Sequence, residues 1–183
     1  MLNETATRFA RATSKSKLAA GILFLRVAES LFGGSDSKCY ATVDCFKKGD
    51  DMTLPTGFPS SPESVGTKFR LYSRQHIDQA VEISEFSLRE TLESYFGTEK
   101  GLVFIVHGFG QGEHSTMPIE MKDAFLKKID YNFVIVLWTE GAKKPWYNIA
   151  AANTALVGRQ IALLLKKLTE EFPETVSKFR SST

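Results

Sequence analysis

His107 is the one histidine of three in this 183-residue chain that stands where chemistry could be done. It closes the apolar run Leu102-Val103-Phe104-Ile105-Val106 and opens the turn Gly108-Phe109-Gly110-Gln111-Gly112. Glycines lack Cβ, so a backbone built from Gly108, Gly110 and Gly112 can turn sharply and lie close against a ligand. Loops beyond the carboxyl ends of parallel strands are where open α/β sheets bind their ligands. The same residues would equally serve as a tight strand-to-helix turn with no chemistry, and the segment alone leaves both readings open.

The remaining reactive side chains carry less. His76 follows a strand and reads as a surface residue. Glu113 and His114 are adjacent, so their side chains need not meet, and both read as solvated loop residues. Cys39 and Cys45 are the only cysteines. An even count fits a small disulfide loop, and two unrelated buried thiols fit as well. Their spacing does not match a zinc site, and no metal is expected. A nucleophilic serine needs a base within hydrogen-bond reach, and no serine and histidine are paired by any spacing argument. The nucleophile turn Gly-x-Ser-x-Gly is absent from the 183 residues. Gly33-Gly34-Ser35-Asp36-Ser37 comes nearest, but it lacks the final glycine and lies in a polar segment. No Gly-x-x-x-x-Gly-Lys-Ser/Thr phosphate loop occurs, and no cofactor is expected.

The elements around the glycine turn follow from periodicity. A continuous apolar run bounded by glycine reads as a strand buried on both faces, here Leu102 to Val106. Met117 to Ile129 places Met121, Ala124, Phe125 and Ile129 at helical spacing, the face expected to pack on a sheet. Tyr131 to Trp138 is a second apolar strand, so strand, helix and strand form a βαβ unit. Upstream, Lys47 to Glu63 is a loop punctuated by proline and glycine, and Thr67 to Arg74 alternates as a half-buried strand. Phe86 to Phe96 is short and weakly helical. After a turn at Gly141–Trp146, Asn148 is the expected N-cap of a helix from Ile149 to Phe172. Its apolar stripe is Val157, Ile161, Leu164, Leu168 and Phe172, and Pro173 ends it.

Val103-Phe104-Ile105-Val106-His107-Gly108-Phe109 resembles the oxyanion-hole strand of the animal lipase family that includes pancreatic lipase, an α/β-hydrolase fold. Cys39-Tyr40-Ala41-Thr42-Val43-Asp44-Cys45-Phe46 is similar to the Cys-Tyr-x4-Cys-Phe loop that begins the family's mature domain. The resemblance runs from about residue 38 to 179. It takes in the strand ending at Trp138 and the helix with its Val157-Gly158 pair. It implies a Cys39–Cys45 disulfide, a structural role for His107, and the backbone N–H of Phe109 as one of two oxyanion donors. The second donor is the N–H after the serine of the elbow, so the catalytic serine, acid and histidine are expected outside this chain. Leu137 stands where the family commonly carries an acid. The implied fold is α/β, an incomplete α/β-hydrolase-type sheet with flanking helices, in which residues 31–183 are the N-terminal portion of the domain. The strand at 101–107 then has an unpaired apolar edge, an aggregation hazard that makes the isolated chain marginal or insoluble.

The implied function is that of a secreted carboxylic ester hydrolase acting on triacylglycerol or phospholipid, inactive without the missing residues. The alternatives are a non-catalytic lipase-like lipid-binding or storage protein, and an unrelated α/β binding domain. Composition agrees with a globular domain: 43% hydrophobic, 24% charged and a formal charge of +2. So small a charge, with acids interspersed among the bases, gives no ground for a nucleic-acid partner. No run of about 18 apolar residues indicates an integral membrane segment. Lys15 and Lys17 precede Leu18-Ala19-Ala20-Gly21-Ile22-Leu23-Phe24-Leu25, so residues 1–30 have the pattern of a secretory signal, interrupted by Arg26. An organellar transit peptide and a first structural helix remain as other readings. The expected location is extracellular.

Overall fold

The computed structural model describes residues 36–50, 57–87 and 89–173. The N-terminal segment read as a signal and the stretch from Thr175 to Thr183 lie outside them. In chain order the elements are β1 (Ser37–Tyr40), β2 (Asp44–Lys47), α1 (Pro62–Val65), β3 (Lys68–Ser73), β4 (His76–Ile83), α2 (Arg89–Glu93), β5 (Leu102–Val106), α3 (Thr116–Leu126), β6 (Asn132–Leu137) and α4 (Tyr147–Glu171).

The sheet that carries the glycine turn has the order β4-β3-β6-β5. β5 runs parallel to β6, with Leu102 opposite Asn132 and Val106 opposite Val136. β3 is antiparallel to both of its neighbours. Every residue of β6 is buried, as expected of an apolar run flanked by strands and covered on both faces. The two-residue period sorts these side chains between two cores. Val134 and Val136 join Phe69, Leu71, Ala155, Leu156 and Leu164 on the α4 side. Phe133, Ile135 and Leu137 join Tyr72, Ile105 and Leu126 on the α3 side. β5 stands at the edge of the sheet among the described residues, with Val106 43% exposed.

Three readings need correction. The strand β4 follows β3 through a tight turn and was not foreseen. His76 is its first residue, half-buried rather than a plain surface residue. Its Nδ1 lies 3.2 Å from Ser73 Oγ, and its ring lies 4.6 Å from that of Tyr95. Because three central positions of β4 are exposed, it shows no apolar period to read.

The inward face of α3 is also not the expected one. Pro118, Lys122 and Leu126 are buried, whereas Met121 and Phe125 are 40% and 46% exposed. Lys122 can turn inward because its ammonium is satisfied there. Nζ donates to Ile77 O at 2.5 Å, lies 2.5 Å from Asp123 Oδ1 and sits 4.6 Å from the Tyr72 ring centroid. A buried charge is tolerated only with such partners. Finally, α4 begins two residues early, at Tyr147 rather than Ile149. Its N-cap is Trp146, with no side-chain cap bond, so Asn148 lies inside the helix. The stripe itself holds: Val157, Leu164, Leu168 and Phe172 are buried, and Ile161 is partly buried against the same core.

Cys39 and Cys45 are disulfide-bonded, directly opposite each other in the β1–β2 hairpin. Arg159 of α4 anchors this hairpin, donating to Val43 O at 3.1 Å and Cys45 O at 2.8 Å with its guanidinium 4.2 Å from the Phe46 ring centroid.

Candidate functional site

Beyond the last ladder pair, Val106 with Val136, the two parallel strands stay joined by His107 and Trp138. The Trp138 backbone N–H donates to His107 Nε2 at 3.0 Å, and Trp138 Nε1–H donates to His107 O at 2.8 Å. Their rings stack at 5.7 Å and 14°. Because Nε2 accepts, the ring proton sits on Nδ1, which points at Gly108 O, 3.0 Å away. Both nitrogens are therefore occupied in a residue that is 1% exposed. His107 has no free base to offer and works as a bracket for the turn.

The turn that follows is tied at nearly every donor. Gly108 N–H donates to Gln111 Oε1 at 2.9 Å, and Gln111 N–H to Gly108 O at 3.2 Å. Gly110, at φ +71°, donates to Ala142 O of the β6–α4 loop at 2.8 Å. Gly112 N–H bonds Ser115 Oγ at 2.9 Å, and Glu113 N–H bonds Thr139 Oγ1 at 3.2 Å. A Cβ on Gly112 would lie 2.5 Å from Thr139 Cγ2, so the two loops can approach only because that position is glycine. Phe109 N–H is the exception: among the described residues no acceptor is set against it. The Phe109 ring meets Tyr147 edge-on at 5.3 Å. A cavity of about 390 Å³ opens there, lined by Gly108, Phe109, Trp138, Tyr147 and the first turns of α4. The arrangement offers a preorganised backbone donor beside a mostly apolar hollow.

The other candidates stay apart from this turn's chemistry. Glu113 is ion-paired with Arg70. The Arg70 hydrogen bond, then its charge, hold the Glu113 carboxyl below its ordinary range. His114 is exposed. Leu137 is buried in the apolar core on the α3 side, so no acid stands beside Trp138 from that position. A larger hollow of about 650 Å³ lies at the disulfide hairpin, away from Phe109. No group of three His, Cys, Asp or Glu side chains is gathered for a metal among the described residues. No described helix is long and apolar enough to cross a membrane.

Sequence reasoning missed the polar residue that ties α4 to the site. Asn153 is 2% exposed. It donates to Gly141 O at 3.1 Å and accepts from Ser60 N–H at 2.8 Å, holding the β6–α4 loop in place. The signal was legible: Asn153 extends the stripe four residues ahead of Val157, a polar residue at a core position. Asn132 acts likewise at the start of β6, exchanging bonds of 2.9 and 2.8 Å with the Gly97 backbone.

A parallel strand pair joined by a helix, with a bracketed glycine turn after the first strand, makes a mixed α/β fold whose larger sheet has four strands among the described residues. Residues 36–179 match the family described as Lipase, and the chain belongs to that family. It is similar to pancreatic lipase-related protein 3 of Homo sapiens, 30% identical over 83% of this chain and 33% of that protein. Inactive pancreatic lipase-related protein 1 of Canis lupus familiaris is 29% identical over 83% of this chain and 34% of its own length. Pancreatic lipase-related protein 2 of Rattus norvegicus is 30% identical over 78% and 32%. The chain thus spans about a third of the curated relatives it matches.

Proposed function

We propose that these residues are the oxyanion-binding part of a secreted carboxylic ester hydrolase acting on triacylglycerol or phospholipid, with Phe109 N–H as the donor. The observation that carries this reading is the Phe109 N–H at the carboxyl end of β5, the one donor of the Gly108–Gly112 turn with no acceptor among the described residues. A donor held this way costs no reorganisation when negative charge develops on a carbonyl oxygen. Gly-x-Ser-x-Gly does not occur in the 183 residues; in this reading the nucleophile, acid and base lie outside them, and the edge of β5, open among the described residues, is where a further parallel strand would bring a serine beside Phe109. Residues 1–30 are the secretory signal in this reading, and the disulfide fits an oxidising compartment.

The test takes the protein from its natural source, measures its intact mass and treats it with an active-site-directed phosphonate. Label on a serine outside residues 1–183 is expected. In the protein not treated with phosphonate, Phe109→Pro removes the donor and should lower kcat on a soluble ester about 10²–10³-fold with KM little changed. Unchanged kcat overturns the role of Phe109. The second reading is a non-catalytic lipid-binding or storage protein, favoured by the relative named inactive. Absence of any phosphonate label overturns the first reading, and co-purifying lipid in the unlabelled protein is then the result expected of the second.

A further inference from the structure

We infer that Lys144 is a specificity-determining residue of the Phe109 site, favouring esters that carry a phosphate or carboxylate near the scissile carbonyl over uncharged ones. Parallel pairing of β5 and β6 puts the loops after both strands at one end of the sheet, where Gly110 N–H bonds Ala142 O. That bond draws the β6–α4 loop across the glycine turn, and Lys144 follows close behind Ala142. Its aliphatic stem fills the space that a side chain on Gly110 would need. A Cβ there would overlap Lys144 Cε and lie 3.1 Å from its Cδ and Cγ. Gly110 also stands at φ +71°, a conformation that favours glycine. The stem is thus laid against the residue next to the proposed donor. Nζ is one bond beyond Cε, so the ammonium stands beside the turn.

The charges around the turn single out this ammonium. Arg70 is paired with Glu113, and Lys143 Nζ lies 3.4 Å from Glu140 Oε2. Among the described residues, no carboxylate and no hydrogen-bond acceptor is set against Lys144. A backbone N–H and an unpaired cation then lie side by side at the carboxyl end of β5. The N–H meets the oxygen of the attacked carbonyl, and the ammonium meets a second, negative group on the same molecule. Lysine acts as a compact point charge with rotatable donors, so it sets a charge preference without imposing one shape of anion. A phosphate and a carboxylate satisfy it alike, and a triacylglycerol brings neither. The role of Lys144 rests on the proposed role of Phe109 N–H and chooses among the esters which that role allows.

The experiment uses the natural protein and three short-chain diacylglycerols kept monomeric, alike except that the third hydroxyl carries a phosphate, a hemisuccinate or an acetyl group. The readout is the ratio of kcat/KM on each anionic ester to that on the acetyl ester. The parent should prefer the anionic esters by about threefold or more, as one exposed charge pair allows. Lys144→Gln should bring the ratio to about one, and Lys144→Glu should shift it from the parent by about tenfold, charge reversal adding repulsion to the lost attraction. Lys144 is exposed, so both variants should fold, and phosphonate labelling checks that they do. Lys143→Gln, which removes a lysine already paired with Glu140, should leave the ratio unchanged. Raising salt from about 0.05 to 0.5 M should erode the parent's preference through screening, which a merely structural lysine would not produce. Preference for the phosphate ester alone, or the hemisuccinate alone, upholds the role of Lys144 and fixes the anion. A labelled, active protein whose ratio is the same in the parent and Lys144→Glu overturns the role of Lys144 alone, as does equal loss in Lys143→Gln. Absence of both phosphonate label and hydrolysis overturns the hydrolase reading, and the role of Lys144 with it.

Discussion

Replacing His107 with alanine should destabilise the protein by about 3–5 kcal/mol, and the geometry says where that comes from. Nε2 is the acceptor of the Trp138 N–H at 3.0 Å, and Trp138 is 5% exposed. An orphaned buried donor costs about 1–3 kcal/mol. The ring itself is buried and stacked on the indole, and truncating a buried side chain to alanine commonly costs about 2–5 kcal/mol. The two contributions overlap, which sets the total. Whole domains are stable by only about 5–15 kcal/mol. His107→Gln isolates the polar share, because its side-chain oxygen reaches the place of Nε2 and can accept from Trp138. It should recover about 1–2 kcal/mol relative to alanine. Urea denaturation followed by tryptophan emission measures both. An alanine variant within about 1 kcal/mol of the parent, or a glutamine variant no better than alanine, refutes the bracket as the organiser of the turn.

Two further outcomes follow from other parts of the fold. Replacing Cys39 and Cys45 by serine releases a short closed loop, Cys39 and Cys45 being six positions apart. Chain entropy sets the cost at about 2 kcal/mol, read as a lower urea midpoint, and reductant should act on the parent the same way. No shift in either case overturns the stabilising role of the clip. Tyr72 has its phenol raised above its ordinary 10.0, mainly by burial, with Arg70 opposing and Asp123 adding. Above about pH 10 the unfolded chain gives up this proton first while the folded state retains it, so stability falls as pH rises. Tyr72→Phe should flatten that fall between about pH 9 and 11 in urea midpoints, and an unchanged alkaline slope refutes the assignment.

The central strands were readable because they are buried on both faces. Leu102 to Val106 and Asn132 to Leu137 need no partner to announce themselves, and the stripe from Val157 to Phe172 shows its period without help. The disulfide came from a similarity in the Cys39–Phe46 loop, since spacing alone left two thiols equally acceptable. β4 escaped because an edge strand with exposed central residues carries no apolar alternation. The face of α3 was misread because hydrophobicity nominated Met121 and Phe125, while a carbonyl of β4 and the ring of Tyr72 made Lys122 the better buried residue. Nothing in α3 itself encodes that carbonyl. Asn153 could have been found, as a polar residue on an apolar stripe, yet its partners at Ser60 and Gly141 belong to distant segments.

The sequence by itself determined the strand–turn–helix unit, the family and the candidate donor at Phe109, because these rest on local period and on a contiguous motif. The tertiary structure decided which donors of the turn are used up and which one meets no acceptor among the described residues. That outcome depends on Trp138, Thr139 and Ala142 arriving from the neighbouring strand and loop. It also decided that Lys144 of the β6–α4 loop lies against Gly110 of the turn. A parallel strand pair sets that placement through its direction, which no single segment of the chain can express.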